Sequence, residues 1–129
     1  MGLFNDYFKA AYAALNSDVL LAGKVKESLS DQDHFPKIWI EDGGASDWSN
    51  KDDDGLDAEI VLHIGSQYRG SKELRQYMQK CHDLLHDASL TPESGQVVQC
   101  RFTRSDVVPD SDGITRHGVM RFSLLVSEV

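Results

Sequence analysis

His82 and His86, in the segment HDLLH, are the residues of this 129-residue chain whose spacing most directly suggests chemistry. At i and i+4 they share one helical face, the arrangement with which H-E-x-x-H metal-dependent hydrolases hold zinc. Asp83 stands where such an enzyme carries its general-base Glu and is one methylene shorter. A third ligand would have to come from elsewhere in the chain. The stronger reading is a solvated polar face, with His86 near a helix C-terminus, where a cationic ring is slightly favoured. A metal-dependent hydrolase using His82 and His86 stands as the alternative from a different functional class.

Asn50-x-Asp52-x-Asp54-Gly55 resembles the first half of a calcium loop, with oxygen ligands at alternate positions and Gly sixth. The twelfth position is Val61 rather than a bidentate Glu, and it falls in a strand, so an ordinary solvated acidic loop is the better reading. Cys81 and Cys100 lie among core-type residues and outside any nucleophile motif, which makes them a reduced, buried pair. Neither a G-x-S-x-G elbow nor a phosphate-cradling glycine loop is present. No metal and no cofactor is expected. Trp48, in ASDWSN, is a large aromatic in a polar loop, either tucked back as an anchor or displayed for a partner.

The elements that must position these residues follow from periodicity. Phe4, Tyr7, Phe8, Ala11, Tyr12 and Leu15 form one apolar stripe on a helix from about Leu3 to Asn16. A weak strand is expected over Lys24 to Leu29, then a clear one in KIWIED, with Ile38 and Ile40 on one face and Trp39 on the other. Gly43 to Gly55 reads as a loop. Leu56, Ala58, Ile60, Leu62 and Ile64 then alternate with Asp57, Glu59, Val61 and His63. Ser71 is a plausible N-cap for a second helix whose stripe is Leu74, Tyr77, Met78, Cys81, Leu84 or Leu85, and Ala88. Two last strands, about Val97 to Val108 and Ile114 to Val126, flank a turn at Pro109 to Gly113. This order predicts an α+β fold, a largely antiparallel sheet with two α-helices packed on one face. Its outer face would carry Asp57, Glu59, His63, Arg101, Thr103, His117, Arg121 and Ser123.

Length and composition fit a single domain over residues 1–129, with 40% hydrophobic and 26% charged residues. No apolar run approaches the ~20 residues of a membrane span. The N-terminus lacks the basic start and apolar block of a signal peptide, so cytoplasmic synthesis is expected. Thirteen basic against 21 acidic residues give a net charge of -8, which argues against nucleic acid or an anionic membrane as main partner. The charge is concentrated: Glu41 to Glu59 holds eight acidic residues against Lys51, leaving the other 110 residues at -1. Arg101, Arg104, Arg116 and Arg121 leave the C-terminal hairpin free to meet an acidic neighbour.

Several stretches, in order along nearly the whole chain, resemble the tail-completion, or tail-terminator, family of siphophages and phage-derived gene transfer agents. They are FKAAYAALNSD with Val19, the Phe35-Pro36-KIWI strand, the SDWSNKDDDG loop and the DSDGITRHGVMRF hairpin. The resemblance implies a non-enzymatic virion assembly protein without cofactor, forming a homo-oligomeric ring, usually a hexamer, at the head-proximal end of the tail. Such a ring terminates tail-tube polymerisation and joins the tail to the head connector or stopper protein. DNA passes its lumen without specific binding, and no membrane is involved. The implied location is the virion or gene transfer agent particle, assembled in the bacterial host cytoplasm. A head-closure or connector protein of the same joint is the alternative within this class. Candidate contact residues are Trp48, Asp52, Asp53 and Asp54 in the acidic loop, and Arg104, Arg116 and His117 in the hairpin.

Overall fold

The computed structural model describes residues 2–27, 34–88, 90 and 96–128. Along the chain run α1 (Leu3–Asn16), β1 (Val25–Lys26), β2 (Lys37–Asp47), β3 (Gly55–Ser66), α2 (Lys72–Leu85), β4 (Gln96–Pro109) and β5 (Arg116–Ser127). The strands form one sheet in the order β1-β2-β3-β5-β4. Among the described residues only the β1–β2 pair is parallel.

Period-two alternation gives the sheet one apolar face: Ile38, Ile40, Ala58, Ile60, Leu62, Ile64, Met120, Phe122, Leu124 and Val126 are all buried. Both helices lie on that face, burying Tyr7, Ala11 and Leu15 from α1 and Leu74, Tyr77, Cys81 and Leu85 from α2 in the same cluster. The α+β reading and the helix layer hold. Gly118, on the covered face of β5, lets α2 come close, since a Cβ there would stand 2.8 Å from Met78 Sδ.

Several local expectations are corrected. The segment from Gly43 to Asp47 is not loop but the far half of β2, paired with β3 across a register shift between Asp42 and Ala45. Gly44, at φ +92°, makes that shift possible, and Asp42 Oδ1 secures it by accepting the Gly44 N–H at 2.9 Å. Phe4, counted in the α1 stripe, is 67% exposed; it lines an open groove with Leu3, Leu56 and Glu128 instead of the core. Ala10 is buried in α1 as well.

Helix α2 stops at Leu85 rather than Ala88, because His86 is extended and Asp87 turns left-handed at φ 54°. Ser71 precedes the helix without capping it through its side chain; its Oγ accepts from Arg75 Nη1 instead. Strand β1 covers only Val25 and Lys26 of the expected Lys24 to Leu29, whose last residues lie outside the described ones. Val61 is buried although it faces outward, set between Glu41 and Arg121 in the register. Among the described residues no helix is long and apolar enough to cross a membrane.

Candidate assembly surfaces

The acidic loop connects β2 to β3 and is held by its own short polar side chains. Asn50 Oδ1 accepts the backbone N–H groups of Asp52 and Asp53, each at 2.8 Å, so the oxygen that a calcium loop would offer closes a turn. Ser49 Oγ donates to Asp47 Oδ1 at 2.6 Å and accepts the Gly55 N–H at 3.1 Å. Trp48 is anchored at the base of the loop without being buried. Its backbone N–H donates to the Gly55 carbonyl at 2.9 Å, its ring edge rests over Gly55, and 42% of the residue remains exposed.

Glu128, just past β5, reaches this end of the sheet: its N–H donates to the Asp54 carbonyl at 3.1 Å. Its carboxyl hydrogen-bonds the Asp54 side chain, and that bond, with the charges of Asp54 and Asp53, raises its pKa. Asp47, Asp52, Asp53, Asp54 and Glu128 thus gather negative charge at one end of the molecule.

Arg116 and His117 stand at the opposite end, since β3 runs from Gly55 at the loop to Ser66 beside Arg116. At about 3.3 Å per residue, the two ends are roughly 36 Å apart. One chain therefore does not bring its two groups of candidate contacts together. The hairpin turn is built as its sequence suggested: Asp112 Oδ1 accepts the N–H groups of Ile114 and Thr115, and Gly113 takes φ +74°. Those bonds and the Thr115 hydroxyl hold the Asp112 carboxyl below its ordinary pKa. Val107, Val108 and Ile114 are exposed on this hairpin.

The arginines there are less free than the sequence suggested. Arg104 makes a two-pronged bond to Asp106 at 2.7 and 3.1 Å, and Arg121 pairs with Glu59 at 3.1 Å. Arg101 lies 3.9 Å from Asp87. Arg116 is exposed and makes no ion pair among the described residues.

His82 and His86 do share a helical face, their rings stacked at 4.8 Å, with His82 edge-on to Phe102. The use made of them is structural. His86 Nδ1 accepts the backbone N–H of Phe102 at 3.0 Å, which places the ring proton on Nε2, 3.4 Å from Asp87 Oδ2. Among the described residues no group of three His, Cys, Asp or Glu side chains is placed to hold a metal ion. Cys81 and Cys100 are both buried free thiols, and burial pushes each pKa up to about 12.

The outer sheet face carries a cluster that single-strand patterns did not reveal. His63 stacks on Trp39 with ring centres 4.4 Å apart and planes 6° from parallel. His63 Nε2 lies 2.9 Å from Glu41 Oε1, and His63 Nδ1 lies 3.1 Å from His117 Nε2. Burial and the neighbouring His63 hold the His117 pKa down, while Asp110 opposes them. The sequence put His63 and His117 on this face, but joining them to Trp39 and Glu41 required the strand register.

A search of curated proteins gave no match. The described fold is similar to that of a chain in the solved virion of a native gene transfer agent particle, with a TM-score of 0.86 and 18% identity over 95% of this chain and 96% of that one. The profile of the family described as tail completion protein gp17 matches residues 9–127, from the second turn of α1 to the last residue of β5. With so nearly all of its elements inside that match, the chain belongs to the tail completion protein gp17 family, structural proteins of phage-type tails.

Proposed function

We propose that this protein acts without catalysis as a tail terminator, a homo-oligomeric ring at the head-proximal end of a phage-type tail. The ring ends tube polymerisation on one side and receives the head connector or stopper protein on the other. The observation that carries this reading is the family match over residues 9–127. Two features of the chain support it. Its two groups of proposed contact residues stand at opposite ends of the sheet and so form two different surfaces, as head-to-tail contacts require, and such contacts close into a ring when their rotation permits. The contact residues are Trp48, Asp52, Asp53 and Asp54 at one end, and Arg116 with the exposed hairpin residues Val107, Val108 and Ile114 at the other. The ring proposed is a hexamer.

The concentration of acidic side chains at the loop end also suits a passage for DNA, because a surface with few cations near phosphate gains little from counterion release. Imaging particles assembled without this protein tests the proposal. Over-long or headless tails are the expected result. Normal tails beside heads that leak DNA would overturn it in favour of a head-closure role. Substitution of Trp48 by Ala, with Asp52, Asp53 and Asp54 changed to Asn, is expected to lower the yield of joined particles while the chain stays folded.

A further inference from the structure

We propose that Glu41, His63 and His117 form a one-proton switch on the outer face of the sheet, with Trp39 lying over it. Three strands supply the parts, and the register fixes their order: Trp39 of β2 opposite His63 of β3, with His117 of β5 opposite Gly65. Gly65 also admits the Phe35 ring, since a Cβ there would stand 2.9 Å from Phe35 Cε1. The cluster is thus bordered by aromatic carbon on the side away from the acidic loop.

With both rings neutral, one chain of hydrogen bonds satisfies the geometry. His63 Nε2–H donates to Glu41, and His117 Nε2–H donates to His63 Nδ1. One proton taken up at His117 Nδ1 reverses the second bond, because the proton on His117 Nε2 passes across to His63 Nδ1. His63 then carries hydrogen on both nitrogens, donating to Glu41 on one side and to His117 Nε2 on the other. The cation so formed lies flat against the Trp39 indole, within cation–π range. A second proton has no such place. Two imidazolium rings would face each other N–H to N–H at 3.1 Å, with like charges and no acceptor between them.

The other charged groups around the cluster leave this balance in place. On β2 they are Lys37, which lies over the Phe35 ring, and Glu41 itself. On β3 and β5, Glu59 and Arg121 are paired with each other; on β4, Arg104 and Asp106 are. Arg116 and Asp110 flank the hairpin end, and Asp110 is felt at His117. Protonation therefore changes this face from a neutral imidazole pair to a single cation pinned between Glu41 and Trp39. Contacts made there by a neighbour become dependent on pH.

The full chain has two tryptophans, so Trp48→Phe leaves Trp39 as the sole indole reporter. Lowering the pH from about 8 to about 5, the range in which histidine titrates, is expected to reduce Trp39 emission along a one-proton curve. His63→Gln is expected to abolish the change. Nitrogen-15 shifts of the ring nitrogens in the unsubstituted protein, which do not depend on any variant folding, should show one ring of the pair becoming doubly protonated while the other stays neutral. If both rings become cationic over the same range, or if Trp39 emission still titrates in the folded His63→Gln protein, the proposal is wrong.

Discussion

The Tyr7 hydroxyl of α1 donates to Asp42 Oδ1 of β2 at 2.7 Å, and the same oxygen accepts the Gly44 N–H that turns the Gly43–Gly44 bulge. One carboxylate oxygen thus ties the first helix to the point where β2 changes register. Burial of the ring, together with this bond, pushes the Tyr7 pKa up beyond the ordinary phenol range. Tyr7→Phe keeps the buried ring and removes only the donor, so it is expected to cost about 1.5–3 kcal/mol, the usual worth of a hydrogen bond to a charged acceptor. Urea unfolding followed by circular dichroism measures it. A variant as stable as the parent would show that the bulge holds α1 without this bond.

Glycines 55 and 118 should respond differently to the same methyl group. At Gly55 a Cβ would stand 2.8 Å from the Trp48 carbonyl oxygen and 3.0 Å from that of Val126, and neither backbone group can swing aside. Gly55→Ala is therefore expected to cost about 1–3 kcal/mol, as overpacking does. At Gly118 the nearest atom is the sulfur of Met78, a flexible side chain, so Gly118→Ala should cost less. Thermal melts of the two variants, side by side, rank them.

Burial keeps both thiols protonated and out of reach. At about pH 8, where a free cysteine is partly thiolate, the native protein should take up no alkylating reagent at Cys81 or Cys100. In denaturant both should label fully. Mass spectrometry counts the additions, and labelling of either thiol under native conditions would mean that the sheet opens beneath α2 or along β4.

His117 predicts a direction for stability against pH. Its folded pKa lies below that of an ordinary histidine, so the folded state favours the neutral ring. The stabilisation is complete above the unfolded pKa and is lost as pH falls through the folded one, because there the unfolded chain binds more protons. Between about pH 7 and about pH 5 the parent's denaturation midpoint should fall more steeply than that of His117→Gln. Parallel curves would mean that the ring is equally solvated folded and unfolded.

The elements with a simple period were legible from the residues. The alternation from Leu56 to Ile64 and from Met120 to Val126 named the buried sheet face, and the Leu74 to Leu85 stripe named the helix face that covers it. Gly43 to Asp47 misled because Gly, Ser and Asp are the composition of a loop, while pairing with β3 overrides that local preference. Phe4 misled because helical periodicity continues past the edge of the surface it packs against. The acidic loop was legible as a charge concentration, but Glu128, some 70 residues away along the chain, joins it only through the end of β5. The pairing of Arg104 with Asp106 and of Arg121 with Glu59 likewise needed side-chain geometry, and it leaves Arg116 as the hairpin cation best placed to meet an acidic neighbour.

The HDLLH turn has a consequence for how copies of this chain can join. Strand β4 is an outermost strand of the sheet, and its backbone groups at Cys100 and Phe102 are already engaged: Asp87 N–H donates to the Cys100 carbonyl at 2.8 Å, and the Phe102 N–H is held by His86. The end of α2 is thus a stopper halfway along the rim. A strand arriving from outside cannot pair without interruption along β4, because these two groups are already taken. The segment that resembles half of a metal site thus helps cover part of a sheet edge that would otherwise be open to pairing.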